Sequence, residues 1–156
     1  MHENINFIDL NEDEIKLVLC WRNNPAIKRW MHTKEDISLE NHLNFIKRLN
    51  NNSSKDYFLV KKGNDYIGVI DLNDCFLGIY ANPEKKRVGD ILLSEIIKFA
   101  FNKKKLSSLK AEVFKENATA IKLYKRFGFT TIEDNKTMLV MKLNNKEYQN
   151  ILNQIK

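Results

Sequence analysis

Cysteine is scarce in this chain: Cys20 and Cys75 stand apart with no CxxC spacing, and the three histidines supply no ligand spacing beside them. No metal site is expected on that basis. No apolar run is long enough to cross a bilayer and no secretory leader is present, so the expectation is a reduced, cytoplasmic protein with no membrane partner. A Gly-x-Ser-x-Gly elbow is missing, as are an RNP signature, paired zinc ligands and a basic helical stripe, so a serine nucleophile and a nucleic-acid partner are not expected. Acidic residues come only in short groups, Glu12-Asp13-Glu14, Glu35-Asp36 and Glu133-Asp134, which read as solvated faces rather than a disordered tail. No repeat, low-complexity segment or linker divides the 156 residues, so one domain over 1–156 is expected.

Positive charge is in excess, with 26 Lys plus Arg against 20 Asp plus Glu and a formal net charge of +6. Such a surface draws anionic partners by long-range steering. The cations cluster at Lys85-Lys86-Arg87 and Lys103-Lys104-Lys105, and only the first group lies near a glycine, Gly89.

Local patterning gives a mixed α/β order. Ile5–Leu10 reads as a strand, and Asn11 with Glu14 has capping-box spacing for a helix reaching Trp21. Asn24-Pro25 suits a short helix through Met31, and Ser38 caps another reaching Leu49. Residues 57–60, 66–70 and 75–80 are β-rich runs that predict a three-strand meander. Apolar periodicity then predicts a helix over 88–102. A strand at 109–114, a helix at 117–127, two closing strands at 129–132 and 138–143 and a terminal amphipathic helix at 145–156 complete the chain.

Chemistry concentrates in two stretches. Asn82-Pro83-Glu84-Lys85-Lys86-Arg87-Val88-Gly89-Asp90 is a cationic strand-to-helix turn. The free N–H groups and positive dipole end of such a helix start suit a pyrophosphate, with Gly89 admitting close backbone approach. An ordinary solvated loop is the competing reading of that stretch alone. The second stretch, Asn117 to Phe129, carries N-x-x-A-x-x-L-Y-x-x-x-G-F after a strand.

That second pattern resembles the closing motif of the GNAT N-acetyltransferases, and the Glu84–Gly89 turn resembles their pyrophosphate loop, in the same order along the chain. The resemblance implies the GNAT fold, a mixed, mostly antiparallel central sheet flanked by helices, and acetyl-coenzyme A as cosubstrate with no metal. One departure stands out: Arg87 occupies the family's first loop-glycine position and Glu84 its leading Gln or Arg position. The backbone donors survive if Arg87 adopts the φ and ψ the turn requires, and its guanidinium can itself meet a phosphate.

By this resemblance Gly78, Ile79, Tyr80 and Ala81 would line the pantetheine arm. Lys85, Lys86, Arg87, Val88, Gly89 and Asp90 would hold the pyrophosphate, Asn117 would contact the cofactor arm, and Tyr124 would protonate the departing thiolate. Read without the motif, Asn117 is a helix cap and Tyr124 a core ring. Glu112, on the strand before the motif, is the candidate general base. Direct transfer to the acceptor amine needs no protein nucleophile.

The N-terminal half narrows the resemblance to one branch. Trp21-Arg22-Asn23-Asn24, Arg29-Trp30-Met31-His32 and Glu40 to Ile46 are similar to the acetyltransferases of pseudaminic acid biosynthesis, which act on a UDP-linked 4-amino sugar on the way to flagellin glycosylation. On that branch Trp30, Met31, Phe45 and Tyr80 would stack on sugar or base, and Arg22, His32 and His42 would meet phosphate or hydroxyl groups. The implied partner is a nucleotide-sugar substrate, and a homodimer is admitted. Acetylation of a protein N-terminus or lysine is the alternative enzyme reading, and a non-catalytic binding module the alternative of a different class.

Overall fold

A computed structural model of the protein describes residues 2–52 and 54–155. Its sheet has seven strands: β1 (His2–Asn6), β2 (Lys55–Lys62), β3 (Asp65–Asn73), β4 (Phe76–Ala81), β5 (Ser108–Phe114), β6 (Thr130–Asp134) and β7 (Met138–Asn144). The order across the sheet is β1-β2-β3-β4-β5-β7-β6. Every pairing is antiparallel except β4 with β5. The expected mixed, mostly antiparallel sheet flanked by helices is therefore the observed one. β2, β3 and β4 form a meander joined by short turns, and β1 pairs beside β2 although α-helical chain separates the two in sequence, whereas the parallel step requires a crossover, supplied by α4 (Gly89–Lys98).

Helices cover both faces. α1 (Glu12–Asn23), α2 (Pro25–Lys28) and α3 (Leu39–Leu49) precede the meander, and α1 and α3 bury Val18, Trp21, Ile46 and Leu49 against Leu59 and Val69. On the opposite face α4 drives Leu92, Leu93, Ile96 and Ile97, each 1% exposed or less, onto Ile70, Leu72, Leu109 and Met141. α5 (Ala118–Arg126) adds Leu123 and Tyr124 to that core, and Tyr148 of α6 (Asn145–Ile155) packs beside Phe101 with ring centroids 5.7 Å apart. Period-2 alternation along β3 sends Val69 to one core and Ile70 to the other.

The Asn11–Glu14 capping box is present in both directions, with Asn11 Oδ1 accepting from the Glu14 N–H at 2.8 Å. Elsewhere the boundaries differ from the sequence expectation. The first strand stops at Asn6, because the Asn6 side chain accepts the Ile8 N–H at 3.1 Å and turns Phe7–Asp9 into a 3-10 segment. The short helix after Asn24 ends at Lys28 and continues only as turns to Met31. The long helix expected over 88–102 is α-helical to Lys98 and closes in a π-turn at Phe99–Lys103, where the Lys104 N–H reaches the Phe99 carbonyl. The last residue of the expected terminal helix, Lys156, lies outside the described residues.

Gly68 fixes how closely α4 approaches the sheet. A Cβ there would stand 2.6 Å from Leu92 Cδ1 and 2.6 Å from the Tyr80 carbonyl oxygen, and the latter is backbone that cannot turn aside. Gly68→Ala is expected to cost about 1–3 kcal/mol through overpacking, read as a lower urea midpoint at unchanged slope. An unaltered midpoint would show that α4 is free to move outward.

Candidate functional site

The site begins where the sheet comes apart. β4 pairs with β3 from Gly68↔Ala81 to Asn73↔Phe76, yet meets β5 at one register pair, Phe76↔Lys110. The Lys110 N–H donates to the Cys75 carbonyl at 2.8 Å, and past that point the strands diverge. Gly78, Ile79, Tyr80 and Ala81 thus line a cavity of about 1040 Å³ that also takes in Glu112, Val113 and Phe114 of β5. Strand backbone without a neighbour needs hydrogen-bond partners, so this seam suits an extended ligand bearing amide groups.

One end of the cavity is the start of α4. Val88, its N-cap residue, makes no side-chain cap hydrogen bond, so the first-turn N–H groups lack that acceptor. Gly89 lines the cavity, and a Cβ on it would lie 3.1 Å from Leu123 Cδ2. Arg87 adopts φ 60°, the left-handed conformation for which glycine is the usual residue, so the turn keeps its shape despite the substitution. Lys85 stands 3.5 Å from Asp65, and Asp90 is paired with Arg126. Lys86 and Arg87 are exposed and, among the described residues, have no ion-pair partner. These two are the loop cations left for an anion. Lys85, Lys86, Arg87, Val88 and Asp90 lie outside the cavity lining, whereas Gly89 belongs to it.

From α5, Asn117 and Tyr124 face the same cavity. Asn117 does cap its helix, with Oδ1 accepting from the Ala120 N–H at 3.3 Å, while its amide nitrogen has no partner among the described residues. Tyr124 is 5% exposed and packs 5.4 Å from the Phe129 ring, so it is a core ring and a cavity wall at once. Burial, with the Asp71 charge adding to it, pushes its phenol well above the ordinary tyrosine range. It keeps its proton at neutral pH.

The other end is aromatic and cationic. Trp30 and His32 hold their rings 6.5 Å and 6.3 Å from Phe114. The Arg29 guanidinium lies 4.4 Å over Trp30, and Lys34 Nζ 4.1 Å over Phe114. His32 Nε2 stands 3.5 Å from Glu112 Oε1, with the imidazole largely and the carboxylate partly open to solvent. Met31 and Tyr80 complete this wall.

The structure does not bring every expected contact into the lining. Phe45 sits behind it, edge-on to Tyr57 at 4.9 Å, and Tyr57 is the ring that faces the cavity. Arg22 uses Nη2 to hold the Thr33 carbonyl at 2.8 Å and leaves its buried Nη1 without a partner. His42 is 5% exposed within α3, its pKa lowered chiefly by burial, and its Nε2 has no partner. An imidazole held there, outside the cavity, does not meet a ligand in it.

Conversely, Asp71, Asn73, Tyr57 and Phe114 belong to the site without having been singled out by sequence pattern, and Arg29, quoted only within its segment, lines it too. Asn73 Nδ2 donates to Asp71 Oδ1 at 2.8 Å and to the Tyr57 hydroxyl at 3.2 Å. Burial pushes the Asp71 carboxyl up to about 7, against the opposing effect of the Asn73 hydrogen bond. The available signal was a lone carboxylate inside the apolar run Ile67 to Leu72.

Comparison with known proteins follows the same geometry. Residues 5–130 match the family model described as Acetyltransferase (GNAT) domain. Two Campylobacter jejuni proteins named Acetyltransferase PseH are 48% and 46% identical over 136 residues, covering 84% of this chain and 86% of each relative. The crystal structure of Campylobacter jejuni N-acetyltransferase PseH in complex with acetyl coenzyme A superposes with TM-score 0.80 at 40% identity, covering 92% of this chain and 99% of that one. The spermidine N-acetyltransferase of Vibrio cholerae, solved with CoA and spermine, reaches TM-score 0.82 at 16% identity over 96% of this chain and 97% of that one, a likeness of fold.

Arg87 at φ 60° predicts an uncommon pairing of effects. Left-handed strain of about 1–2 kcal/mol outweighs the unfolded-state entropy of roughly 0.4–1 kcal/mol that glycine adds. Arg87→Gly is therefore expected to raise stability by about 0.5–1 kcal/mol in denaturant titration while weakening coenzyme A binding in calorimetry. Tighter binding would show that the guanidinium obstructs the anion rather than meeting it.

Proposed function

The chain belongs to the acetyltransferase (GNAT) domain family and is an acetyl-coenzyme A-dependent N-acetyltransferase, and we propose that residues 1–156 work as one domain that acetylates the 4-amino group of a UDP-linked amino-dideoxy sugar in pseudaminic acid biosynthesis, serving flagellin glycosylation. The observation that carries the acceptor reading is the composition of the cavity's second end. Aromatic faces at Trp30, His32 and Phe114 with Arg29 and Lys34 laid over them offer stacking and positive charge together, which a nucleotide diphosphate sugar uses and a peptide amine does not require. The segments Trp21–Asn24, Arg29–His32 and Glu40–Ile46 support the same branch by resemblance.

The seam accommodates the cosubstrate on structural grounds. Gly78 to Ala81 present strand backbone for the amides of a pantetheine arm, and Asn117 offers its unpartnered amide nitrogen to the same arm. The α4 N-terminus with Lys86 and Arg87 suits the pyrophosphate, and Lys85, Val88 and Asp90 shape that turn. When bound, acetyl-coenzyme A supplies the activated acyl group. Tyr124, neutral and buried, is the general acid whose hydroxyl proton goes to the departing sulfur. A carboxylate on the acceptor side removes the proton from the amine, and Glu112 at the rim is the first candidate. Met31, His32 and Tyr80 line the acceptor end, Arg22 contributes the charge felt at Tyr80, and Phe45 supports Tyr57 from behind. No helix among the described residues is long and apolar enough to cross a membrane, in keeping with a cytoplasmic enzyme, and a homodimer is the proposed assembly.

Purified protein with acetyl-coenzyme A and the UDP-4-amino sugar is expected to release free thiol and give a product heavier by one acetyl group. Acetylation of peptides but not of that sugar would move the protein to protein acetylation. Tyr124→Phe removes only a hydroxyl, and general acid catalysis is worth about 100- to 10,000-fold, so its kcat is expected to fall by at least about 100-fold with coenzyme A affinity kept.

A further inference from the structure

We propose that Asp71, rather than Glu112, is the group that takes the proton from the acceptor amine. The inference deepens the acetyltransferase reading of this site and rests on it. Two carboxylates flank the seam on one face of the sheet. Ile70 and Leu72 point into the core under α4, so Asp71 between them points to the opposite face. Ala111 and Val113 belong to that same core, and Glu112 between them shares the face of Asp71.

Register then brings Asp71 to the reacting edge. It lies opposite Gly78 on β4, one of the strand residues that border the gap. A Cβ at Gly78 would stand 2.3 Å from Asp71 Oδ2 and 2.7 Å from Oδ1, so the carboxylate fills the space that the glycine leaves open. It thereby leans over β4 at Gly78, within the lining of the cavity where the proposed pantetheine arm would lie. Asn73 fixes Oδ1, and Oδ2 has no hydrogen-bond partner among the described residues. No cation is in ion-pair range of Asp71 among those residues.

The surroundings separate the two carboxylates. Glu112 is about two-fifths exposed and faces His32 across the mouth, in water. Asp71 is enclosed by Tyr57 of β2, Tyr80 of β4 and Tyr124 of α5, each of which feels its charge, with the Arg22 guanidinium of α1 acting on Tyr80. That enclosure raises the carboxyl to about 7, where the group is part ionised at neutral pH and a stronger base than an ordinary carboxylate toward an ammonium. Asp71 Oδ2 forms an O–H bond as the ammonium N–H breaks, and the freed nitrogen lone pair forms the N–C bond at the thioester carbonyl. The C–S bond then breaks, Tyr124 gives its hydroxyl proton to sulfur, the second nitrogen proton returns to the tyrosinate, and Asp71 releases its proton to water.

Steady-state kcat against pH for the wild type, Asp71→Asn and Glu112→Gln tests this. The wild-type kcat is expected to rise through about pH 7 and level off. Asp71→Asn is expected to fall about 100-fold at neutral pH, to lose that limb, and to recover in alkali where the amine is already neutral. Glu112→Gln is expected to keep the limb and change KM. A limb that survives in Asp71→Asn and vanishes in Glu112→Gln overturns the assignment.

Melting curves without acceptor give a second reading. The folded pKa of Asp71 is raised from 3.8 to about 7, so its contribution to stability is intact below 3.8 and is lost as pH climbs toward 7. Asp71→Asn removes that loss and is expected to melt higher than wild type at about pH 8, with the difference shrinking toward about pH 4. A variant that melts lower at alkaline pH makes Asp71 a structural carboxylate and overturns the proposal. Wild type that releases no thiol with the amino sugar refutes the acceptor reading instead, and the melting comparison still decides the ionisation of Asp71.

Discussion

The molecule depends on one interruption: a seven-stranded sheet that keeps a single register pair between its fourth and fifth strands. A continuous ladder there would satisfy every backbone group and close the cavity. By letting β4 and β5 diverge, the fold leaves strand backbone in search of partners at its own centre, a position that only a bound chain of amides or water fills. The crossover helix α4 follows from the same step, because parallel neighbours cannot be joined by a tight turn, and its N-terminus is delivered to one end of the gap. The gap and the helix N-terminus at its end are thus two results of one topological choice.

Electrostatics give the two ends of that gap different characters. The α4 end carries loop cations and helix-start amides, all solvated or nearly so. In the middle, a ring of three tyrosines around Asp71 lowers the local polarity, pushing the Tyr57 phenol up to about 12 and Tyr80 and Tyr124 beyond that. Burial tunes the two kinds of group differently: the phenol of Tyr124 is kept protonated, and the carboxyl of Asp71 is brought near neutrality. A carboxylate enclosed without a cation is costly for the fold, and its persistence in an otherwise apolar strand points to function rather than packing.

Sequence reading succeeded where a local pattern carries local physics. The Asn11–Glu14 box, the apolar face of α4 and the Asn117–Tyr124 spacing each act within one or two helical turns, so their residues suffice to identify them. It failed where the relation is between segments distant in the chain. Asp71 matters because of Gly78 across the ladder, Phe114 because of Trp30 and His32, and Tyr57 because of Asn73. None of these neighbours is adjacent in sequence. His42 failed for a related reason: its place on an amphipathic helix did not reveal which stripe α1 would cover. Arg87 was readable as a departure, but that an arginine could hold a left-handed turn was visible only in the backbone.

The interrupted sheet also divides the backbone ladder in two. Strands β1 to β4 form one four-strand antiparallel ladder, and residues 108–144 complete their own three-strand ladder. Each half holds its own strands in a continuous antiparallel ladder, while the seam between them supplies a single register pair. The two sides are joined instead by the core under α4 and, at the mouth, by the contacts of Trp30, His32 and Lys34 with Phe114. A ligand laid along the seam therefore acts as a splint, adding to the shared core the bridging backbone bonds that the two ladders lack, so that amide protection along β4 and β5 rises with its concentration.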